Sequence, residues 1–171
     1  MVFPLRRLSD EMDRVARWMA VPIALGFTIV VFLGVLMRYV FRAPLLNSYE
    51  LARVGFVWSC FLGASICFKQ GKHTRFIFLY EKLGHFGQRL LKTAIDLLST
   101  GFFLFLIIMG IRMVQAVIGT YFPALGWPQY WLYLPLPVNA GIMFIHALSF
   151  LEEDVAELAR TWTNRRVRNT E

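Results

Sequence analysis

A stretch of twenty residues without a single charge, residues 18–37, is the feature that most restricts how this chain can fold. At 1.5 Å per residue, a helix of this length crosses the roughly 30 Å hydrocarbon core of a bilayer. The composition agrees, because 57% of the 171 residues are hydrophobic and 17% are charged. In soluble domains about 45–50% of the residues are hydrophobic and about 25% are charged. One small domain cannot bury this much apolar surface, which excludes a soluble globular protein.

Three further apolar segments predict three more membrane-spanning helices. They cover about residues 51–68, 90–118 and 130–151. The third contains Asp96, and ten Leu, Ile or Phe residues follow it within residues 97–111. Each of the ten favours insertion by roughly 0.3–0.6 kcal/mol. Together they outweigh the cost of about 2.5–3.5 kcal/mol for a central Asp. Lys92 lies four residues earlier on the same helical face and can pair with Asp96.

Lysine and arginine are distributed unevenly between the two sides of these spans. Fourteen of the 18 basic residues precede the first span, lie between the second and third, or follow the fourth. Because positive charge accumulates on the cytoplasmic side of membrane proteins, both termini are predicted to be cytoplasmic. The net charge of +7 is then a determinant of topology and not a sign of nucleic-acid binding.

Residues 75–88 alternate apolar and polar side chains at helical spacing. This pattern predicts an amphipathic helix that lies in the plane of the membrane surface, and the head and tail of the chain show weaker versions of it. The expected architecture is therefore an all-α integral membrane protein. It has a single membrane domain over residues 1–171, with four transmembrane helices and amphipathic interfacial helices.

Few residues suggest cofactor chemistry, and we expect neither a cofactor nor a metal. His146 is the one histidine inside a predicted span, and bis-histidine haem ligation needs two, so we interpret it as a hydrogen-bonded packing residue. Cys60 and Cys67 are seven residues apart, which is the spacing of neither a redox motif nor a zinc site. An intramembrane acid is a functional candidate by default, and for Asp96 both a structural and a docking role stay open.

The start of the second span carries two candidate contact residues, Glu50 and Arg53. The segment from Asn47 to Glu50 resembles a capping box, with Asn47 as the cap and Glu50 reaching back to it. Arg53 is three residues further along and shares a helical face with Glu50. A local ion pair at a capped helix start and contact with an external partner are the two interpretations that this pattern leaves open.

Small residues recur every fourth position along the same span, at Gly55, Ser59, Gly63 and Cys67. A stripe of this kind allows a second helix to approach closely in lipid. Trp58 lies near mid-span, away from the interfaces where tryptophan is enriched, and it also indicates a protein contact. The stripe packs either inside this chain or against another subunit.

Three motifs occur in order between residues 38 and 73. They are Arg38-Tyr-Val-Phe-Arg-Ala-Pro-Leu-Leu-Asn-Ser-Tyr-Glu-Leu-Ala-Arg53, then Trp58 with Phe61-Leu-Gly-Ala64, and then Lys69-Gln-Gly-Lys-His73. Together they resemble the small, DctQ-like membrane subunit of tripartite ATP-independent periplasmic (TRAP) transporters. The segment Leu134-Pro-Leu-Pro-Val138 that opens the fourth span is similar too. The resemblance covers about residues 15–155, and it departs from the family pattern at Asn47-Ser-Tyr and at Asn139.

This resemblance implies a non-catalytic small permease subunit in the bacterial inner membrane. It would act as the scaffold of a large, DctM-like membrane subunit, which carries the sodium and substrate sites. A periplasmic substrate-binding protein would deliver an organic acid such as a dicarboxylate or sialic acid. By the same resemblance Glu50 and Arg53 are docking candidates at the periplasmic face, and His73 matches a basic turn at the cytoplasmic face. The partner-interface candidates are Gly55, Trp58, Ser59, Gly63 and Cys67.

Two alternatives come from other functional classes. One is the membrane anchor subunit of a redox complex, which needs haem or quinone, and the other is a small exporter that acts as a homodimer. The exporter needs an acid at mid-membrane, which the spans do not offer. The identity of the transported substrate does not follow from this sequence, because its binding site is expected in another chain.

Overall fold

The computed structural model of the protein describes residues 4–43, 45–70 and 85–168. These residues form five helices: α1 (Pro4–Tyr39), α2 (Leu46–Gln70), α3 (His85–Ala116), α4 (Tyr130–Tyr133) and α5 (Pro135–Arg168). One isolated β-bridge joins Tyr121 to Pro128, and the described part of the chain contains no strand. Four helical segments are long and apolar enough to cross a membrane: Leu5–Tyr39, Asn47–Gln70, Leu91–Ala116 and Tyr130–Glu152. The predicted all-α fold with four spans is confirmed.

Helix α1 is longer than the predicted first span, because the polar head and the apolar run form one helix from Pro4 to Tyr39. Residues 5–17 contain neither glycine nor proline, so no residue interrupts the helix before the membrane. Its 36 residues extend about 54 Å at 1.5 Å per residue, well beyond the hydrocarbon core. Helix α5 likewise continues to Arg168, past the predicted end of the fourth span. The predicted interfacial helix at 75–88 lies outside the described residues except for its last four, which begin α3.

The fourth span begins as two helical pieces. Helix α4 ends at Tyr133, and Leu134 keeps helical angles (φ −57°, ψ −34°) before Pro135 begins α5. The Leu134 N–H donates to the Tyr130 carbonyl at 2.9 Å, and Val138 donates to the Leu134 carbonyl at 3.3 Å. The chain therefore remains helical through a segment in which Pro135 and Pro137 have no N–H to donate.

The helices pack as two pairs, α1 with α2 and α3 with α5, and α5 also contacts α1 and α2. An aromatic cluster joins three of them. The ring of Phe68 on α2 lies 4.9 Å from that of Phe103 on α3 and 5.9 Å from that of Phe150 on α5. None of the most apolar window of α1 is buried, whereas 39% of the corresponding window of the fourth span is. Helix α5 is thus the centre of the bundle, and α1 lies on its outside.

The bundle has two ends, which we call the loop end and the terminal end. The loop end contains the α1–α2 connection at residues 40–45 and the α3–α4 loop at residues 117–129. The terminal end contains the start of α1, the end of α2, the start of α3 and the later turns of α5.

Close approach of α3 to α5 depends on Gly110. A Cβ atom added there would lie 2.9 Å from Cδ and 3.1 Å from Cβ of Pro137. Because a proline ring cannot rotate away, we expect Gly110→Ala to push the two helices apart and to destabilise the protein by about 1–3 kcal/mol. The measurement is the thermal unfolding midpoint in detergent. Gly101→Ala on the same helix is the matched control, since an added Cβ meets no atom within 4 Å there. Equal midpoints for the two variants would contradict this packing.

Candidate functional site: polar contacts at the two ends of the helix bundle

A cluster of polar side chains joins α1, α2 and α5 at the terminal end. Lys69, in the last turn of α2, donates through Nζ to the Ser9 carbonyl at 2.9 Å and to Asp10 Oδ1 at 2.8 Å. Asp13 Oδ2 lies 3.8 Å from the same ammonium and also accepts from Arg17. Asp13 is only 4% exposed, so its charge depends on these cations.

The same cluster reaches α5 through Ser9 and His146. Ser9 Oγ lies 2.7 Å from His146 Nδ1, and both residues are buried. His146 is therefore a hydrogen-bonded packing residue, as its sequence context predicted. We call Ser9, Asp10, Asp13, Lys69 and His146 the terminal clamp, because they join three helices at one end of the bundle.

A second ion pair joins the other helices at this end. Lys92 of α3 pairs with Asp154 of α5, which is buried. Helical spacing allows Lys92 to pair with Asp96, four residues away on its own helix, but the salt bridge shown for Lys92 joins it to Asp154. Spacing along one helix identifies neighbours on that helix only, and α5 brings its carboxylate to α3 from 62 residues further along the chain. Asp96 is itself buried within the bundle.

At the loop end, Glu50 binds the backbone of the α3–α4 loop. Its Oε2 accepts from the Leu125 N–H at 2.8 Å, and both carboxylate oxygens lie 3.2 Å from the Ala124 nitrogen. The predicted capping box does not form, because α2 begins at Leu46 and Asn47 already lies inside its first turn. Instead the N–H and hydroxyl of Ser48 donate to the Leu45 carbonyl at 3.2 and 2.7 Å. Arg53, the other predicted docking residue, is exposed.

The small-residue stripe divides into two parts. A Cβ added at Gly55 would lie 2.8 Å from Cβ of Phe27, so this glycine packs against α1 within the chain. The half-buried Ser59 donates its hydroxyl to the Gly55 carbonyl at 2.8 Å. By contrast, a Cβ added at Gly63 would meet no atom within 4 Å, and Cys67 is exposed. The open part of the stripe is therefore Gly63 and Cys67, and their use as a partner surface stays a prediction.

Trp58 also makes its contact inside the chain. Its indole Nε1 donates to the Trp131 carbonyl at 3.0 Å, which joins α2 to α4. This contact explains a tryptophan at mid-span, since an indole N–H in hydrocarbon needs an acceptor.

Sequence reasoning did not identify the terminal clamp. The signal that could have revealed it is the presence of Asp10, Glu11 and Asp13 among the four arginines of the head, followed by Lys69 at the end of the second span. The same reasoning noted Asn139 only as a departure from the family pattern and did not predict its contact. The buried Asn139 donates through Nδ2 to the Pro135 carbonyl at 2.9 Å. Within the described ranges, no group of three or more His, Cys, Asp or Glu residues has the arrangement of a metal site. The polar contacts described here join helices to one another.

Comparison with known proteins identifies the family to which this chain belongs. The family model for the DctQ component of tripartite ATP-independent periplasmic transporters matches residues 27–157. This chain is a member of the DctQ family. A TRAP transporter small permease protein of Haemophilus influenzae is 31% identical over 140 residues, which cover 81% of this chain and 86% of that protein. The sialic acid TRAP transporter small permease protein SiaQ of Vibrio cholerae is 25% identical over 147 residues, or 84% and 83% of the two chains.

Membership of the DctQ family establishes the general role of the chain. It is a non-catalytic small permease subunit of a TRAP transporter, and it is a multi-pass protein of the inner membrane. The two alternatives, a redox-complex anchor and a homodimeric exporter, do not fit this family. Membership also implies a large DctM-like subunit and a substrate-binding protein as partners.

The terminal clamp predicts that Lys69 stabilises the bundle more than an exposed cation does. Lys69→Met keeps the apolar stem but leaves the Ser9 carbonyl and the Asp10 and Asp13 carboxylates without its ammonium. We expect a loss of about 1–3 kcal/mol, measured as resistance to unfolding by heat or by sodium dodecyl sulfate. Arg14→Ala is the control, because Arg14 pairs with Glu11 at 65% side-chain exposure and such pairs contribute about 0–1 kcal/mol. Equal losses for both variants would contradict a buried clamp.

Proposed function

We propose that this DctQ chain is the rigid scaffold subunit of a sodium-coupled TRAP importer of an organic acid. Both its termini are cytoplasmic, so the loop end faces the periplasm and the terminal end faces the cytoplasm. It packs against the large DctM-like subunit, which binds sodium and substrate, and it helps to receive the substrate-binding protein. The chain itself requires no cofactor. An acid of the dicarboxylate or sialic acid class is the substrate we expect, and the similarity to SiaQ supports the second.

The observation that carries the scaffold proposal is the position of the polar contacts. Buried or half-buried polar groups join the helices at both ends of the bundle, through Lys69 and Asp13 at one end and Glu50 at the other. Between the two ends, the spans present apolar side chains to their surroundings. A bundle held at both ends keeps its shape while a neighbouring subunit moves against it.

The exposed side of α1 is the surface that we assign to protein or lipid contact. Large apolar residues recur on it at helical spacing: Trp18 is 77% exposed, Leu25 59%, Ile29 57% and Phe32 65%. A helix this exposed contributes little to the core of its own chain. Its length and its exposed apolar surface support a role for α1 as the helix against which a second subunit packs in the membrane.

The cytoplasmic position of the termini is supported by charge. Eleven of the 18 basic residues lie on the described helix segments of the terminal end, and three more fall in the sequence between α2 and α3. Cytoplasmic segments of membrane proteins carry such an excess. Tagging each terminus with a reporter that is active on one side of the membrane tests the orientation. Periplasmic reporter activity at either terminus would overturn it.

Gentle affinity purification of the tagged chain from its native membrane tests the scaffold proposal. A large membrane subunit in roughly equal amount is the expected companion, and sodium-dependent uptake of labelled organic acids by the purified complex then identifies the substrate. A chain that purifies alone, or as a homodimer, would overturn the assignment. Uptake that is independent of sodium would overturn the coupling but not the scaffold.

The open part of the stripe gives a sharper test of the interface. Gly63→Leu adds a side chain whose Cβ meets no atom of this chain within 4 Å, so we expect the fold to remain intact. If Gly63 faces the large subunit, the added bulk weakens the complex by about tenfold, which corresponds to about 1.4 kcal/mol. The measurement is the amount of large subunit recovered with the tagged chain.

Two variants control this experiment. Gly101→Leu is equally unobstructed but lies on α3, outside the stripe, and we expect it to assemble normally. Gly55→Leu would collide with Phe27 inside the chain and should lower the yield of the folded subunit itself. Full recovery of the complex with Gly63→Leu would show that this part of the stripe faces lipid.

A further inference from the structure

The α3–α4 loop is held in a compact shape by hydrogen bonds between its own backbone groups. Within it, Phe122 donates to the Trp127 carbonyl at 2.8 Å, Gly126 to the Phe122 carbonyl at 2.9 Å and Gln129 to the Thr120 carbonyl at 2.9 Å. Gly126 has φ +68°, a left-handed conformation that glycine adopts without strain. The loop thus has a defined shape of its own.

Two contacts fix this loop to the bundle. Phe122 is only 4% exposed, so its side chain packs into the core and anchors the first half of the loop. The second contact is Glu50, which lies 74 and 75 residues away in sequence and accepts from the N–H groups of Ala124 and Leu125. Successive backbone N–H groups of this kind form a concavity that binds an anion. Here the anion is a side chain of the same protein.

The loop presents an exposed aromatic surface beside positive charge. Tyr121 is 61% exposed and Trp127 is 50% exposed. Exposed arginines lie on the segments around it, at positions 38, 42, 53 and 112. Glu50 is the one acidic residue in the sequence between residues 38 and 53 or between 112 and 131, and its carboxylate is directed at the loop amides. An aromatic surface with a positive rim fits an acidic protein surface.

We propose that Glu50 is a positioning residue, whose carboxylate holds the α3–α4 loop in the shape that receives an acidic face of the soluble substrate-binding protein. This inference rests on the proposed function, because it requires the loop end to face the periplasm. It differs from a direct docking role for Glu50. Both carboxylate oxygens face backbone donors of this chain, and the contact with the partner belongs to the loop.

The experiment separates these roles by comparing Glu50→Ala with Glu50→Gln in the complete complex. An amide oxygen still accepts from the loop N–H groups but carries no charge, so Gln preserves positioning and removes any ion pair with a partner. Sodium-driven uptake into proteoliposomes is measured against the concentration of substrate-loaded binding protein. Glu11→Ala, which removes an exposed glutamate at the opposite end, is the matched control.

We expect Glu50→Ala to raise the KM for loaded binding protein about tenfold, a change equivalent to losing one charged hydrogen bond, with the maximal rate within about twofold. Glu50→Gln should stay within about threefold of the unaltered complex, and Glu11→Ala should not differ from it. Because an acidic partner meets a positive rim, raising the salt concentration should increase every KM.

Several results would overturn this inference. Equal KM increases for the Ala and Gln variants would assign Glu50 to direct contact through its charge, and an unchanged KM for Glu50→Ala would remove any docking role. Failure of Glu50→Ala to assemble with the large subunit would make Glu50 a folding residue. A KM that does not respond to salt would overturn the acidic partner surface. Failure of the unaltered chain to assemble would instead reject the proposed function, so the two failures are distinguishable.

Discussion

The structure depends on the absence of water from the hydrocarbon core, where a polar group must find its partner inside the protein. Helices satisfy this requirement for the backbone, and charged side chains satisfy it by lying near the ends of the spans, where they pair. Asp13 with Lys69 and Lys92 with Asp154 are pairs of this kind, and each joins two different helices. Removing Lys69 or Lys92 would take a cation away from a buried carboxylate, so the pairs fix helix order as well as charge.

This constraint gives the two ends of the bundle different chemistry. At the terminal end, side-chain ions join the helices through Lys69 and Lys92. At the loop end the Glu50 carboxylate accepts from backbone amides, and nearer mid-span the Trp58 indole donates to a backbone carbonyl of α4. Helix α5 contacts α1, α2 and α3, so it connects the two sets of contacts across the membrane. A subunit built in this way resists shear between its helices, as the proposed scaffold role requires.

The sequence predicted the spans well, because a small protein cannot bury several apolar runs of about twenty residues anywhere except in a membrane. It predicted His146 as a packing residue for a similar reason, since a lone histidine cannot form a paired site. It failed where a contact depends on tertiary structure. Lys92 pairs across helices and Glu50 binds a loop 74 residues away, whereas helical spacing and capping motifs describe neighbours on a single helix. The extent of α1 was missed because its polar head contains no residue that ends a helix.

The contrast between Gly55 and Gly63 shows what the structure adds to a family motif. Both belong to one small-residue stripe, yet Gly55 allows close approach of Phe27 while Gly63 has open space around it. A stripe that served only internal packing would be closed along its length, and one that served only a partner would be open throughout. A residue four positions on lies about 40° further round an α-helix, so the stripe winds from the side of α2 that faces α1 at Gly55 to an open side at Gly63, although Lys69 still binds α1 at the terminal end. On that open side, the small residues of α2 are available to a different helix.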